Sequence, residues 1–325
     1  MDEVGTTTDR LVNRRDEHNR RITDKLGREL GTDICALLDD PDVSEIMLNP
    51  DGKLWVERFS APMQQFGSMS AAQAESLMGT VASSFKTQIT EENPILECEL
   101  PLGKARFEAL IPPIVSGPSF SIRKHAIRVY TLFDYVNHGI MTEAQRIAIE
   151  ASVAQRKNFM VVGGTGSGKT TLTNAIIRCM VDVSPEHRIV ILEDTCELQC
   201  TADNYVSMRA TKHVSMQKLL KATMRMRPDR IIVGEVRDGA ALAMLKAWNT
   251  GHPGGVATLH ANSAIAGLTR LEQLIGESSA LPMQTLIAEA VDLIVFIEKL
   301  HGGRRVKEVI RVDRYDGRQY ITHKL

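Results

Sequence analysis

The glycine-rich stretch GGTGSGKTT, residues 163–171, has the residue types and spacing that bind a phosphate chain. It matches the pattern G-x-x-x-x-G-K-[ST]. Glycines let backbone amides curl around a phosphate, and the first turn of a following helix adds positive potential. The expected nucleotide-binding residues are Gly163, Gly164, Thr165, Gly166, Ser167, Gly168, Lys169, Thr170 and Thr171.

The flanks of this stretch favour a phosphate-binding loop over a chance glycine-rich turn. The apolar run FMVV before it is typical of a buried strand, and TLTNAIIRCM after it is typical of a helix. In such a loop, Lys169 reaches the β- and γ-phosphates, and the hydroxyl of Thr170 ligates Mg²⁺. We therefore expect ATP and Mg²⁺ as ligands.

Carboxylates follow two other predicted strands. In RPDRIIVGEVRD the buried run Ile231–Val233 is followed closely by Glu235, and in VILEDTCEL another run ends in Glu193. Phosphate-transferring enzymes use such a carboxylate to hold the metal or to polarise water. Because the carboxyl ends of parallel strands line one crevice, both side chains are expected beside the phosphates. The alternatives are that Glu235 only ends a strand and that Glu193 lies in an exposed acidic turn.

Two histidines occur in TGHPGGVATLHANS, residues 250–263. Seven residues separate His252 from His260, so the two do not share one helical face as a zinc-binding H-x-x-x-H pair would. The run GVATLH is typical of a strand, which puts His260 at its carboxyl end beside the predicted crevice. There its imidazole is expected to hydrogen-bond the γ-phosphate or Glu235.

Composition indicates an ordinary globular protein large enough for two domains. Of 325 residues, 43% are hydrophobic and 24% are charged, and the formal net charge is −1. No global positive field therefore attracts nucleic acid or anionic lipid. The five cysteines are scattered and odd in number, which favours a reducing compartment. Cys196 and Cys200 lack both the spacing of a zinc knuckle and a second pair.

The sequence contains no candidate membrane segment. The N-terminal stretch MDEVGTTTDRLVNRRDEHNRR is polar and charged, and no run approaches the roughly 18 apolar residues of a membrane span. We expect a cytoplasmic protein that is peripheral to a membrane only through its partners.

The hydrophobic pattern changes near the middle of the chain. The first part combines helical patterns, Arg20–Leu38 and Ala71–Ser84, with a strand–turn–strand signal in EIMLNPDGKLWVER and alternating strands beyond it. After the capping pattern TEAQ, continuous apolar runs alternate with helices, as in a parallel sheet covered on both faces. The expected divisions are a flexible 1–15, an α+β domain at 16–130, a linker at 131–142 and an α/β domain at 143–325.

The order of these stretches resembles that of the secretion and traffic ATPases. In that family the four boxes are Walker A, here GGTGSGKTT; an Asp box, here ILEDTCEL; an atypical Walker B with Gly-Glu, here RPDRIIVGEVRD; and a His box, here TGHPGGVATLHANS. The stretch DPDVSEIMLNPDGKLWVER is similar to the family's first domain, so the resemblance spans about residues 20–300. The chain looks most like the conjugal-transfer, TrbB-type branch, because it lacks a tetracysteine module and an AIRxxIRE-like motif.

The resemblance implies a RecA-like P-loop domain and roles for named residues. Glu235 would be the Walker B acid that polarises water, and Glu193 the Asp-box acid that supports water and Mg²⁺. His260 and His252 would sense the γ-phosphate and link to a neighbouring subunit, although His252 also suits a plain turn residue. Arg106 and Arg123 sit at positions where the family places arginines over the phosphates; a strand-edge salt bridge is the alternative.

The resemblance also implies a homo-hexameric motor. ATP hydrolysis would power type IV secretion, conjugative DNA transfer or pilus biogenesis through inner-membrane components of a secretion or mating-pore apparatus, without sequence-specific nucleic acid binding. A RecA-like DNA-handling motor is disfavoured by the near-neutral charge and the 5% aromatic content. A nucleotide-dependent scaffold with little turnover is disfavoured because Glu235 and Glu193 are both present. A small-molecule phosphotransferase is disfavoured because it would need a substrate lid, whereas this chain has a separate N-terminal domain suited to subunit contacts.

Overall fold

The chain folds into two compact units, Met1–Arg128 and Val129–Leu325. The computed structural model describes residues 3–58, 61–103, 105–124, 129–211, 213–300 and 303–325, with the side chains of 3–16, 18 and 19 excluded. Among the described residues, no helix has the length and apolar composition needed to cross a membrane.

Unit 1 is an antiparallel sheet covered by two helices. Its sheet has the strand order β3-β2-β1-β6-β5-β4, and every pairing is antiparallel. The elements are α1 (Glu3–Asp39), β1 (Val43–Leu48), β2 (Lys53–Arg58), β3 (Gln64–Ser68), α2 (Ala71–Ser84), β4 (Ile95–Glu99), β5 (Arg106–Leu110) and β6 (Ser119–Arg123).

Helix α1 is longer than the sequence pattern predicts. Its apolar residues Leu26, Leu30 and Ile34 lie in the core of unit 1, as the three-to-four spacing indicates. The helix begins at Glu3, however, so most of the segment expected to be flexible, 1–15, is helical. Gly31 interrupts it with a φ of 79° and a ψ of 164°, which glycine adopts most readily.

The turn and helix signals of unit 1 are confirmed. Between β1 and β2, the amide of Gly52 donates to the carbonyl of Asn49 at 2.9 Å, and Gly52 has a φ of 78°. Helix α2 covers the predicted range and begins with a capping box between Ser70 and Gln73. These local signals therefore position the sheet that carries β5 and β6.

Unit 2 is an eight-stranded sheet of order β14-β13-β12-β7-β11-β10-β8-β9. The six strands from β12 to β9 in that order pair in parallel, and β13 and β14 pair antiparallel. The elements are α3 (Leu132–Asn137), α4 (Glu143–Ala154), β7 (Phe159–Gly163), α5 (Lys169–Val183), β8 (Ile189–Glu193), β9 (Tyr205–Arg209), α6 (Met216–Thr223), β10 (Arg230–Val233), α7 (Ala240–Asn249), β11 (Val256–His260), α8 (Ala264–Gly276), α9 (Gln284–Ala290), β12 (Leu293–Leu300), β13 (Gly303–Tyr315) and β14 (Tyr320–Lys324).

Both faces of this sheet are buried, as the continuous apolar runs predict. In β8, Val190 and Leu192 belong to the core beneath α6–α9, and Ile189 and Ile191 belong to the core beneath α3–α5. Alternate residues of one strand thus fill opposite cores. The predicted mostly parallel α/β fold with helices on both faces is confirmed, whereas the antiparallel pair β13–β14 is not evident from the pattern.

The expected linker at 131–142 is part of unit 2. It contains helix α3, and its residues Leu132, Tyr135 and Met141 are buried in the core beneath α3–α5. The capping box that the sequence predicts at Thr142 is present with Gln145 and begins helix α4. The segment is therefore a packed element because its apolar residues fill the core.

Candidate nucleotide site

The glycine-rich stretch forms a tight loop between β7 and α5. A β-carbon on Gly163 would lie 2.3 Å from the carbonyl oxygen of Ile297, so only glycine fits there. Gly168 has a φ of 93° and precedes the first residue of α5, Lys169. No side chain caps this helix, so its first amides face the loop. The predicted strand, loop and helix are confirmed.

The loop has the chemistry that a phosphate group needs. Lys169 is 8% exposed, and its ammonium donates to the carbonyls of Gly163 and Gly164, each at 3.0 Å. The hydroxyl of Ser167 is buried and has no hydrogen-bond partner. A buried cation, an unsatisfied hydroxyl and a helix start together fit an oxyanion.

Consecutive side-chain contacts connect Lys169 to Glu235, the acid that follows β10. The ammonium of Lys169 lies 3.3 Å from Nδ1 of His260, and Nε2 of His260 lies 3.2 Å from Oε1 of Glu235. His260 reaches this position because β11 pairs with β7 in the register that puts it beside Gly163. The structure thus brings together three of the residues that the sequence singles out.

Glu235 is held as a carboxylate. Burial acts against its ionisation, but a hydrogen bond from Arg237 and the positive charges around it outweigh that effect, so its pKa lies below the ordinary value. The guanidinium of Arg237 lies 2.7 Å from Oε2 of Glu235 and 3.8 Å from Oδ2 of Asp194. Arg237 therefore forms ion pairs with both of these acids.

Glu193 has a different environment from Glu235. It is 2% exposed, and its Oε1 accepts hydrogen bonds from the amides of Glu197 and Leu198, each at 2.8 Å. Its Oε2 is buried without a partner. Burial raises the pKa of Glu193 to about 7, although the two amides act in the opposite direction. In this geometry Glu193 holds the loop that follows β8.

That loop brings another acid, Glu197, to the start of α5. The hydroxyl of Thr170 donates to Oε2 of Glu197 at 3.3 Å, and Asn174 donates to the backbone carbonyl of Glu197. The sequence pattern does not single out Glu197; its spacing of four residues from Glu193 is the only signal. Hydroxyl and carboxylate oxygens are the ligands that Mg²⁺ prefers, so Thr170 and Glu197 fit this ion.

The remaining predicted site residues belong to other elements of the chain. Arg106 and Arg123 are in unit 1, directly opposite each other on β5 and β6. His252 lies in the turn before β11, where its Nδ1 is buried without a hydrogen-bond partner. Cys196 and Cys200 follow β8, and nowhere in the described ranges do three or more His, Cys, Asp or Glu side chains form a metal-holding group.

Known proteins are similar to this chain in sequence. Residues 32–314 match the family described as "Type II/IV secretion system protein". A probable conjugal transfer protein TrbB of Sinorhizobium fredii is 54% identical over 92% of this chain and 92% of its own length. The type IV secretion system protein VirB11 of Bartonella quintana is 32% identical over 85% of this chain and 90% of its own.

A solved structure is similar in fold. The Legionella pneumophila ATPase DotB has a TM-score of 0.60 and 19% identity, covering 87% of this chain and 79% of the DotB chain. At this identity the likeness concerns the fold, which agrees with the RecA-like P-loop architecture of unit 2. With the family match over residues 32–314 and the P-loop geometry, the chain belongs to the type II/IV secretion system protein family as a P-loop ATPase.

Proposed function

We propose that this chain hydrolyses ATP to ADP and phosphate and so powers type IV secretion in its conjugal-transfer form. The relative that is 54% identical and named a probable conjugal transfer protein supports this, as does the name of the VirB11 relative. The observation that carries the proposal is the contact chain from Lys169 through His260 to Glu235.

The P-loop residues bind and orient the nucleotide. Lys169 and the first amides of α5 hold the β- and γ-phosphates, and the buried Ser167 hydroxyl donates to the same group. Thr170 and Glu197 hold Mg²⁺, which when bound neutralises charge on the phosphates. Glu193 orients Glu197 through its hydrogen bonds to the loop backbone.

Glu235 is the acid that orients the attacking water. It is ionised at neutral pH because its pKa lies below the ordinary value, and it therefore accepts a hydrogen bond from water. His260 lies between this acid and the lysine that contacts the phosphates, so a change at the phosphates alters the contact of His260 with Glu235. This relation supports His260 as the sensor of the γ-phosphate.

The active assembly in this proposal is a homo-hexamer. ATP binding between subunits closes an interface and hydrolysis releases it, which a closed ring converts into repeated domain movement. Arg106 and Arg123 supply positive charge to the phosphates, and His252 contributes to a subunit interface. Alanine at either arginine then lowers turnover without unfolding the protein, whereas an unchanged rate assigns that arginine to a strand-edge ion pair.

The proposed setting is the cytoplasmic side of the inner membrane. The chain works there through membrane-embedded components of the secretion or mating-pore apparatus and makes no sequence-specific contact with nucleic acid. Its near-neutral formal charge of −1 agrees with such indirect recruitment.

Phosphate release by the purified full chain tests the proposal, with and without single-stranded DNA, together with the mass of the assembly. We expect magnesium-dependent turnover by a hexamer, abolished in Lys169→Ala and retained in Lys246→Ala, a change at an exposed lysine of α7. Normal turnover in Lys169→Ala contradicts the P-loop assignment. Strong stimulation by DNA with strand unwinding identifies a DNA motor, and a folded hexamer without turnover identifies a scaffold.

A further inference from the structure

The strands β12 and β13 bring two cations to the P-loop on the flank opposite to Glu235. β7 lies between β11, which ends in His260, and β12. Lys299 of β12 and Arg304 of β13 are direct cross-strand partners in the antiparallel pair. This pairing places two positively charged side chains next to each other on one face of the strand pair.

Arg304 contacts the loop itself. Its Nε donates to the carbonyl oxygen of Gly166 at 3.4 Å, and its Cδ lies 2.9 Å from the position that a β-carbon on Gly168 would take. The ammonium of Lys299 lies 4.0 Å from the corresponding position on Gly166. Both cations therefore approach the turn of the loop that precedes Lys169.

The position of Arg304 is fixed by its surroundings. It is half-buried, and its charge acts on the buried Tyr135 of α3. Two residues further on, the amide of Val306 donates to the carbonyl of Ile140 at 2.7 Å, and Gln145 donates to the carbonyl of Val306. Two hydrogen bonds to the segment around the start of α4 thus anchor the start of β13, which holds the guanidinium against the loop.

We propose that Lys299 and Arg304 bind the phosphate chain of the nucleotide on the side of the P-loop away from Glu235. This inference rests on the nucleotide site of the proposed function. Since the bond that is hydrolysed faces Glu235 and His260, these two cations contact phosphates that ATP and ADP share. Their interaction is equal in substrate and product, so it contributes to binding and leaves the chemical step unchanged.

Calorimetric titration of the full chain with ADP tests this inference. Lys299→Ala and Arg304→Ala each raise the Kd of ADP roughly tenfold, and Arg304→Lys restores part of the loss. The matched control is Arg305→Ala, which changes the next residue, exposed and paired across the strands with Glu298, and leaves the Kd unchanged. In steady-state kinetics the KM for ATP rises by a similar factor and kcat does not change.

The dependence of ADP binding on ionic strength distinguishes cations that contact phosphate from cations that only support the conformation of the loop. If the cations meet phosphate, the Kd for ADP depends less steeply on salt in both alanine variants than in the unchanged chain. The proposal is overturned if Arg304→Ala binds ADP more weakly with an unchanged salt dependence and Lys299→Ala binds ADP with an unchanged Kd. In that case Arg304 only supports the backbone at Gly166. Lys299 is exposed, so its variant decides the matter even if Arg304→Ala unfolds. Because the readout is ADP binding, failure here is distinct from failure of hydrolysis.

Discussion

The side chain of Glu193 occupies the space next to Gly234, the residue that follows the neighbouring strand β10, so the two residues are complementary in size. A β-carbon on Gly234 would lie 2.9 Å from Cγ of Glu193. The amide of Gly234 also donates to the carbonyl of Leu192 at 2.8 Å, so its backbone is fixed. The glycine of the Walker B box thereby allows the Asp-box acid to lie flat against β10.

Gly234→Ala is expected to displace the buried carboxyl group of Glu193. Forcing an extra methyl into this contact lowers the free energy of unfolding by about 1–3 kcal/mol and reduces turnover, because Glu193 holds the loop that carries Glu197. Chemical unfolding and phosphate release measure the two effects. Gly276→Ala is the control, since a β-carbon there contacts nothing within 4 Å and alanine favours the helix. Equal stability of the two variants contradicts the close contact.

Glu235→Gln is expected to bind ATP and hydrolyse it slowly. The amide cannot take a proton from water, so kcat falls roughly 10²- to 10⁴-fold while the Kd for ATP changes little. Single-turnover phosphate release and nucleotide titration measure the two quantities. Glu277→Gln, at an exposed position beyond α8, serves as the matched control. Fast hydrolysis by Glu235→Gln would remove this residue from the chemical step.

Glu197→Gln is expected to affect magnesium more than Glu193→Gln does. Glu197 accepts a hydrogen bond from the Thr170 hydroxyl. Glu193 accepts hydrogen bonds from two backbone amides, and the side-chain oxygen of glutamine can accept the same bonds. The magnesium concentration for half-maximal hydrolysis therefore rises roughly 10- to 100-fold in Glu197→Gln. Titrating magnesium at saturating ATP checks this. The reverse ranking of the two variants would restore Glu193 as the acid that supports the metal.

His187 is expected to make the protein less stable in mild acid. Its Nδ1 accepts a hydrogen bond at 3.1 Å from Arg230, which is fully buried. Burial and the positive charges of Arg230 and Arg156 lower the pKa of His187. The negative charges of Glu186 and Asp229 act in the opposite direction but do not outweigh them. A lowered pKa means that the unfolded chain takes up the proton first. Neutral His187 therefore contributes to the free energy of unfolding in full above pH 6.5, the ordinary pKa of histidine. This stabilisation is lost as the pH falls through the lower pKa that His187 has in the folded protein.

His187→Asn tests this because an asparagine oxygen accepts from Arg230 at any pH. We expect the free energy of unfolding to vary less between pH 7 and pH 5 in this variant than in the unchanged chain. The control is His213→Asn, at an exposed position before α6. A pH profile identical to that of the unchanged chain would show that His187 does not titrate on unfolding.

The P-loop and its neighbouring strands are predictable from sequence because each is a local pattern. β7, β8 and β10 contain continuous apolar runs, and β11 contains the strand-like run VATL. The glycine spacing of the loop is typical of a phosphate-binding loop. The contact of His260 with Glu235 follows once the strands are known to be parallel, since both residues lie at carboxyl ends.

The parts that sequence does not predict depend on pairing between distant segments. β13 alternates charged and apolar residues, but nothing local indicates that β12 will pair with it and bring Arg304 to the P-loop. Glu193 turns inward because Gly234, far along the chain, leaves room for it. Glu197 reaches Thr170 only as a result of that turn.

The packing of helix α3 sets where a separately expressed ATPase fragment has to begin. A fragment starting at Glu143 would omit Leu132, Tyr135 and Met141 and would expose the apolar surface that they cover in unit 2. It would also lose the carbonyl of Ile140 that receives the amide of Val306. A fragment starting at Val129 keeps all of these contacts, so the shorter design is expected to aggregate and the longer one to remain in solution.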